Sequence, residues 1–376
     1  MQVFVAMSGG VDSAVAAVLL RRAGHQVVGV TMDLWPKSES AGRECCSLAA
    51  VEDARRVAAA LDIPHYTWNL REVFQDEVVR PFREEYLAGR TPNPCLECNR
   101  QVKFRHLWRR VSAAGGAFLA TGHYVRLERD AGGTQRLFRA TDTAKDQSYA
   151  LYALNQSDLS HLLFPLGTWR KTQVRRLAGE MGLPVADKPD SQEICFVPKD
   201  YRDYLREVAG NRIQPGAFLN QEGRVLGTHL GLPFYTVGQR RGLGLGGGVP
   251  LYVTEVRPED NAVVVGKVTD LYRREVCLEK VSCVTGPPEA GSEGVQVDAC
   301  IRYRGSLESA VWHPAGSEAR LVFQRPIRAP APGQATVFYR GEEMLGGGII
   351  VKSSGENTLV ARAGGSPVAG ANGESY

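Results

Sequence analysis

Long apolar runs are missing from this sequence. Of its 376 residues, 43% are hydrophobic and 23% are charged, which is typical of a soluble globular protein. No stretch approaches the roughly 20 apolar residues that a membrane-spanning helix needs. The N-terminus also lacks the charged segment and apolar core of a secretory signal, so we expect a cytoplasmic protein with no membrane partner.

Cysteine and excess charge are also scarce. Eight cysteines in a chain of this length are too few for a disulfide scaffold, so those that matter are expected to react or to bind a ligand. The 45 Lys and Arg residues against 41 Asp and Glu residues leave a net charge of only +4. This balance permits a nucleic-acid partner but does not by itself call for one.

The glycine-rich loop near the N-terminus lacks the lysine of a Walker loop. Residues 3–7 are apolar and predict a buried strand, and residues 11–22 predict a helix that ends near Gly24. Between them, Gly9 and Gly10 allow a tight turn whose backbone N–H groups face an anion at the helix N-terminus. A Walker loop would place a lysine before its final Ser or Thr. The loop therefore predicts a pyrophosphate site of a different class.

The first half of the chain alternates predicted strands and helices. The predicted elements are strands at 26–35, 65–70 and 117–124 and a helix at 49–61. This pattern predicts a doubly wound parallel sheet, which we assign to residues 1–205. Ligands bind at the carboxyl ends of the strands in such sheets, so Gly122 and His123 are expected at the nucleotide crevice.

Beyond residue 205 the chain changes to short alternating strands between glycine turns. The predicted strands are 251–256, 262–265 and 276–284. Turn signals at 258–261 and 286–288 predict two small β-rich, barrel-like domains. We assign them to residues 206–275 and 276–353. Residues 354–376 are rich in Gly, Ser and Ala, and we expect them to be disordered.

Two further segments place cysteines on loops. The sequence GRTPNPCLECNRQVKF puts Cys95 and Cys98 on a proline-stiffened loop before a basic helix. A helix N-terminus and nearby cations both favour a thiolate, which makes Cys98 a candidate nucleophile, and an ordinary cysteine beside solvated basic residues is the alternative. In DSQEICFVPK, Cys195 follows a polar turn at the end of the α/β half. Spacing alone leaves open whether Cys98 and Cys195 meet. By contrast, Cys277, Cys283 and Cys300 are expected to be small core residues.

Six ordered motifs resemble those of the bacterial and mitochondrial tRNA-specific 2-thiouridylases. They are SGGVDS, CCSLAAVEDARRVA, GRTPNPC with CNRQVKF, ATGHY, KDQSYAL and SQEICF. The first of them also resembles the SGGxDS loop of the PP-loop ATP pyrophosphatases, which adenylate a substrate. The resemblance covers the chain to about residue 352 and implies a tRNA-uridine 2-sulfurtransferase that uses ATP and Mg²⁺.

The resemblance also implies roles for individual residues. The residues that would bind ATP are Ala6, Met7, Ser8, Gly9, Gly10, Val11, Asp12 and Ser13 at the phosphates and Met32 and Gly122 at the adenosine. The residues that would contact the target base or tRNA are Asn93, Pro94, Cys95, His123, Lys145, Asp146, Gln147, Arg302, Tyr303 and Gln334. Cys195 would carry sulfur as a persulfide. Cys98 would act as nucleophile and form a disulfide with Cys195. The implied partners are the Lys, Glu and Gln tRNAs and a cysteine desulfurase or sulfur-relay protein.

Cys95 departs from the family pattern, because many members have Asp at this position. The three thiolates of Cys95, Cys98 and Cys195 are enough to hold a [4Fe–4S] cluster with one iron open for sulfide, so a cluster-dependent route stays open beside the persulfide route. Two other functions are also considered. A PP-loop amide or amidine synthetase would need no catalytic cysteine pair, and a tRNA-binding protein without catalysis would need no intact SGGVDS loop.

Overall fold

The computed structural model describes residues 1–35, 48–190, 194–197, 200–246, 248–286 and 294–351. Within these residues the chain forms a five-stranded, a four-stranded and an eight-stranded sheet. In the same part of the chain, none of the helices is both long and apolar enough to cross a membrane. Cys45, Cys46 and the tail at 354–376 lie outside the described residues.

Where it is described, the first half of the chain contains seven strands, five of which form a sheet with helices on both faces. The seven strands are β1 (Gln2–Ala6), β2 (Gln26–Asp33), β3 (His65–Asn69), β4 (Phe118–Ala120), β5 (Arg126–Arg129), β6 (Gln135–Phe138) and β7 (Leu162–Leu163). Its helices are α1 (Val11–Arg22), α2 (Leu48–Ala60), α3 (Arg71–Phe74), α4 (Arg80–Leu87), α5 (Pro94–Glu97), α6 (Trp108–Ala113), α7 (Gln156–Leu159), α8 (Lys171–Glu180) and α9 (Tyr201–Ala209). Two π-helical segments, Gln75–Val79 and Cys98–Leu107, join α3 to α4 and α5 to α6.

The strand order of the first sheet confirms the predicted doubly wound fold. The order is β3-β2-β1-β4-β7, and each neighbouring pair is parallel. Val5 of β1 pairs with Gly29 on one side and with Ala120 on the other. The chain therefore crosses from one side of β1 to the other, and the crevice outside the carboxyl ends of β1 and β4 is where such sheets bind ligands.

The strand predicted at 117–124 is too long, because β4 ends at Ala120. Its outer neighbour β7 has only two residues, and the last hydrogen bond to it runs from the Thr121 N–H to the Leu163 carbonyl at 3.2 Å. Beyond Ala120, the Thr121 hydroxyl oxygen accepts from the backbone N–H of His123 at 3.3 Å. This local hydrogen bond replaces the ladder and turns the chain away from the sheet.

The second half of the chain is built from β-strands, as predicted. The four-stranded sheet has the order β10 (Tyr252–Arg257), β11 (Ala262–Gly266), β8 (Gly216–Leu219) and β9 (Val225–His229). The barrel strands are β12 (Tyr272–Cys283), β13 (Val295–Cys300), β14 (Glu308–Ala315), β15 (Glu318–Arg328), β16 (Ala335–Arg340) and β17 (Glu343–Ile350). Their order is β12-β15-β14-β13-β16-β17, and a direct β12–β17 pairing closes the six strands into a barrel.

A hairpin from the first half of the chain extends the barrel sheet. β5 and β6 pair antiparallel, and β6 pairs with β17 through Leu137 and Phe138. Asp130 shapes the turn between them, because its Oδ1 accepts from the N–H groups of Gly132 and Thr134, both at 3.0 Å. The hairpin therefore ties the α/β half to the C-terminal barrel.

Successive side chains of β1 point into two different core clusters, one on each face of the sheet. Val3 and Val5 pack with α1 and α8 on one face of the sheet. Phe4 faces the opposite way, into a larger cluster that also receives Phe104 and Phe218. Since that larger cluster draws side chains from every part of the chain, it holds the sheet and the β-rich half together.

Thr91 joins the first half of the chain to both parts of the β-rich half. Its backbone N–H donates to the carbonyl of Pro332 at 2.8 Å, and its own carbonyl accepts from Gln334 Nε2 at 2.7 Å. Its hydroxyl lies 3.0 Å from that of Thr236. The loop that carries Asn93 and Cys95 is therefore fixed at its start by contacts from outside the sheet.

Candidate active site

The glycine loop between β1 and α1 is held by its own serines. Ser13 Oγ donates to the carbonyl of Gly10 at 3.0 Å and accepts from the N–H of Ser8 at 3.2 Å. Gly9 has a φ of +69°, and a side chain there would collide with the carbonyl of Ala50 in α2. Glycine is thus required at this position, and the loop keeps one shape before α1 begins.

Gly122 packs against this loop. A Cβ placed on Gly122 would lie 2.7 Å from the Ser13 nitrogen and 2.8 Å from the Asp12 carbonyl carbon. The chain after β4 therefore approaches the first turn of α1 so closely that only glycine fits. The two predicted halves of the nucleotide site meet at this contact.

Asp12 is the centre of a network that the sequence analysis did not find. Tyr124 Oη donates to Asp12 Oδ1 at 2.7 Å. Lys171 Nζ lies 2.7 and 2.8 Å from the two oxygens of the same carboxylate. Burial and the neighbouring Asp12 raise the pKa of Tyr124 well above its ordinary value, so its hydroxyl keeps its proton and stays a donor.

The Asp190 carboxylate, which lies near Asp12, forms ion pairs with three cations. It lies 2.8 Å from Lys145 Nζ, 2.8 Å from Lys171 Nζ and 3.0 Å from Arg175 Nη2. Burial alone would raise the pKa of Asp190, but hydrogen bonds from Lys145 and Lys171 outweigh it and hold the pKa at about 2. Asp190 is therefore ionised at neutral pH and fixes both lysines.

Lys188 supports the other side of the loop. Its Nζ donates to the carbonyl of Gly9 at 3.0 Å and to Asp53 of α2 at 2.6 Å. Although burial opposes it, the hydrogen bonds from Lys188 and Arg56 lower the pKa of Asp53. The loop is thus tied to α2 through one ammonium group.

Thr31 fixes the start of the loop from β2. Its Oγ1 donates to the carbonyl of Met7 at 2.8 Å and lies 2.8 Å from His65 Nε2. Because the single hydroxyl proton goes to Met7, His65 Nε2 must be the donor in the second bond. The next residue on β2, the predicted adenosine contact Met32, is half-buried and packs against the larger core cluster.

The structure corrects the position predicted for Cys98. Asn93 caps α5, its side chain accepting from the N–H of Cys95 at 3.1 Å, and Pro94 is the first helical residue. The helix runs on without a break through the π-helical segment, so Cys98 lies a full turn inside it and Cys95 occupies the first turn. The position at the helix N-terminus is therefore that of exposed Cys95 and not that of Cys98.

Cys98 and Cys195 pack against the same hydrophobic cluster. Both are half-buried, whereas Cys95 is exposed. The neighbour of Cys195, Phe196, is 1% exposed and lies edge-on to Phe74 and Phe82. This anchoring of Phe196 in the core fixes the segment that carries Cys195.

The three loop cysteines do not fit an iron–sulfur cluster in this structure. Among the described residues, which include Cys95, Cys98 and Cys195, no three His, Cys, Asp or Glu side chains lie close enough to hold a metal ion. Of the three cysteines predicted to be core residues, Cys300 is buried, whereas Cys277 and Cys283 are half-buried. Burial raises the pKa of all three thiols.

Comparison with known proteins places the chain in one family. Residues 1–199 match the tRNA methyl transferase HUP domain, residues 202–267 the corresponding PRC-barrel domain and residues 273–350 the aminomethyltransferase β-barrel domain. The tRNA-specific 2-thiouridylase MnmA of Heliobacterium modesticaldum is 51% identical over 93% of this chain and 92% of its own. The chain belongs to the tRNA-specific 2-thiouridylase family.

Other relatives agree with this placement. The tRNA-specific 2-thiouridylase MnmA of Moorella thermoacetica is 51% identical over 92% of this chain and 98% of its own. Among solved structures, the U34-tRNA thiolase NcsA of Methanococcus maripaludis with its [4Fe–4S] cluster is similar to 56% of this chain and 67% of its own, with 18% identity and a TM-score of 0.35. That likeness is too distant to bear on the chemistry of this 2-thiouridylase.

Three half-buried residues that the 2-thiouridylase resemblance assigns to tRNA contact also make contacts within the fold. Asp146 Oδ2 accepts from Arg139 Nε at 3.0 Å, and Gln147 Oε1 accepts from the N–H of Tyr124 at 2.9 Å. His123 lies beside the rings of Phe104 and Phe164, and its Nδ1 is 2.6 Å from the Thr121 hydroxyl. Burial holds the pKa of His123 well below its ordinary value, so its ring is neutral.

Of the residues assigned to tRNA contact in the 2-thiouridylase, Asp146 and Tyr303 line a cleft between the α/β half and the barrel. Arg302 and Tyr303 are exposed at its edge, where the Tyr303 ring lies 5.8 Å from that of Tyr149. The cleft has a volume of about 330 Å³, and Arg139 and Arg304 line it as well. Gln334, by contrast, is half-buried at its contact with Thr91.

Proposed function

We propose that this chain makes 2-thiouridine in two stages, adenylating C2 of the wobble uridine at the glycine loop and then transferring sulfur from a persulfide on Cys195. As a member of the 2-thiouridylase family, it is an ATP-using tRNA-uridine 2-sulfurtransferase. The observation that carries the two-stage proposal is the packing of Gly122 against the loop, with Cys98 and Cys195 on one core cluster.

The first stage converts a poor leaving group into a good one. The C2 oxygen of uridine attacks the α-phosphorus of ATP, an O–P bond forms, and the bond to the β-phosphate breaks and releases pyrophosphate. The loop N–H groups and the N-terminus of α1 stabilise the charge on that leaving group. The Asp12 carboxylate, whose side chain is 32% exposed, would be an oxygen ligand for the nucleotide's Mg²⁺, and the ion would neutralise phosphate charge.

In the second stage the two cysteines supply the electrons that reduce the transferred sulfur. The terminal sulfur of the Cys195 persulfide attacks C2 and expels AMP, which leaves the base joined to Cys195 through a disulfide. The Cys98 thiolate then attacks Cys195 Sγ, forming the Cys98–Cys195 disulfide and releasing the thiocarbonyl product. The two cysteines are oxidised as the transferred sulfur is reduced. A dithiol reductant must reset them before the next turnover.

The substrate side of the proposal follows the family resemblance. A wobble uridine lies in a single-stranded loop, where a base is splayed out at modest cost. We propose the Lys, Glu and Gln tRNAs as substrates, a desulfurase or relay protein as sulfur donor and the cytoplasm as location. The domain limits at 205/206 and 275/276 also stand as part of the proposal, and the separate matches at 1–199, 202–267 and 273–350 support them.

Anaerobic thiolation of unmodified tRNA tests the proposal. Cluster-free protein loaded with a desulfurase-derived persulfide is mixed with Mg-ATP, and 2-thiouridine and AMP are measured by mass spectrometry. We expect Cys195→Ala and Cys98→Ala to lose thiolation, while Cys95→Ala, the matched control in the same loop, keeps it. If Cys95→Ala is also inactive and only cluster-loaded protein makes product, the persulfide route is wrong. If both cysteine variants stay active in an amine-dependent reaction, an amide or amidine synthetase is the better description.

A further inference from the structure

A lysine from α8 lies beside the glycine loop, which has none of its own. Lys171 is the first residue of α8, and its ammonium contacts both carboxylate oxygens of Asp12. Only 10% of the Lys171 side chain is exposed, compared with 32% of the Asp12 side chain. The Lys171 ammonium is therefore more buried than the Asp12 carboxylate that it contacts, and the carboxylate is accessible to a ligand.

The charges around the loop leave a positive surplus. In the described part of the chain, five cations form ion pairs there with three carboxylates, and a fourth carboxylate, that of Asp142, accepts from the backbone N–H of Lys171 at 2.8 Å. The cations are Arg56, Lys145, Lys171, Arg175 and Lys188, and the paired carboxylates are Asp12, Asp53 and Asp190. A surplus of cations next to N–H groups that face an anion fits a ligand of high negative charge better than it fits a neutral nucleoside.

The hydrogen bonds of Lys171 allow an exchange of partners. An ammonium has three N–H donors, and here they face the two oxygens of Asp12 and one oxygen of Asp190. If a phosphate oxygen replaces Asp12, then Asp190 still fixes the lysine while the Asp12 carboxylate becomes available to the nucleotide's Mg²⁺. No large movement of α8 is needed for this exchange.

We propose that Lys171 binds the β- and γ-phosphates of ATP and so supplies the cation that the loop itself lacks. Asp190 is a positioning residue, because it touches Lys171 and not the nucleotide. The inference rests on the proposed function, in which the loop binds ATP. It adds a phosphate-binding residue that comes from a helix about 160 residues further along the chain.

Binding measurements on the full-length chain test this assignment. Calorimetric titration compares a non-hydrolysable α,β-methylene analogue of ATP, inorganic pyrophosphate and AMP. We expect Lys171→Met to weaken binding of the analogue and of pyrophosphate roughly ten- to hundred-fold, the loss of one charge-assisted contact, and to change AMP affinity less than about twofold. Lys171→Arg, which keeps the charge, should recover part of the loss.

The matched control lies on the same helix. Arg176 is 74% exposed on its side chain and pairs with Glu180, so Arg176→Met removes a cation from α8 without touching the loop. It should bind all three ligands like the unmodified chain. Circular dichroism and tRNA binding check that each variant is folded, and Lys171→Gln replaces the Met variant if that one unfolds.

Two results would overturn the assignment. Equal losses for AMP and for the ATP analogue would make Lys171 a support for the loop, and unchanged affinity for the analogue would place it outside the site. If the unmodified chain binds neither the analogue nor pyrophosphate, the proposed ATP chemistry itself fails. These outcomes separate an error about Lys171 from an error about the function.

Discussion

Adding a single methyl group at Gly122 should impair ATP use while leaving the fold intact. In Gly122→Ala the new Cβ would lie 2.7 Å from the backbone nitrogen of Ser13, whereas ordinary contacts begin near 3.4 Å. The two nearest atoms belong to the backbone and the third is Asp12 Cβ at 3.1 Å, which no side-chain rotation moves, so rotation does not relieve the contact. The loop must therefore recede from β4 by about 0.7 Å, the difference between these two distances.

The size of the effect follows from that displacement. Overpacking of this kind costs about 1–3 kcal/mol, and a misplacement of about 1 Å at a reacting centre costs about a hundredfold in rate. We therefore expect kcat/KM for ATP to fall roughly ten- to hundred-fold in Gly122→Ala, with tRNA affinity unchanged. The assay is AMP release at varied ATP and saturating tRNA, and thermal unfolding is followed in parallel.

Gly179→Ala is the matched control for this experiment. Gly179 lies in α8, and a Cβ there would meet no atom within 4 Å. Alanine in a helix is favoured over glycine by about 0.5–1 kcal/mol, so this variant should be slightly more stable and fully active. A Gly122→Ala enzyme with the same kcat/KM as Gly179→Ala would refute the close packing of β4 on the loop.

Three further outcomes follow from the same site. The pKa of Asp190, about 2 in the fold against an ordinary 3.8, means that Asp190 stabilises the fold above pH 4 and loses this effect as the pH falls toward 2. In urea unfolding at neutral pH, the free energy of unfolding of Asp190→Asn should therefore be roughly 2 kcal/mol lower than that of the parent. This difference should vanish near pH 2. Magnetic resonance of labelled His123 should find a neutral ring at pH 6, because burial lowers its pKa, and a midpoint near 6.5 would contradict its packing beside Phe104. Tyr124→Phe removes one donor to Asp12, and kinetics should show kcat/KM for ATP reduced roughly tenfold, whereas an unchanged value would mean that Lys171 alone positions the carboxylate.

Local signals in the sequence predicted the loop and its flanking elements well. The helix predicted at 11–22 is α1 as observed, because an apolar run, a glycine turn and a closing glycine all lie within a short window. The three strands predicted in the β-rich half are also observed, although their ends differ by up to four residues, as at β12, predicted from 276 and observed from Tyr272. Ends depend on the partner strand, which the local sequence does not contain.

The lysines around the loop could not be predicted in the same way. Lys171 and Lys188 reach the loop from 159 and 179 residues away, and a single lysine aimed at a distant site leaves no periodic pattern. Two other features that the sequence analysis did not predict are nevertheless marked in the sequence. Asn93 followed by Pro94 marks a helix start and so places Cys98 a turn inside, and the Gly132–Gly133 turn between alternating residues marks the β5–β6 hairpin.

The contacts of Thr91 limit how this protein can be divided. Loss of the C-terminal barrel would strip partners from both the N–H and the carbonyl of Thr91, only two residues before Asn93. Each such hydrogen bond contributes about 0.5–1.5 kcal/mol net, and the loss of both would fall directly on the start of the cysteine loop. The α/β half is therefore not a portable module. A truncation that separates it from the barrels would loosen the cysteine loop before it disturbs the parallel sheet.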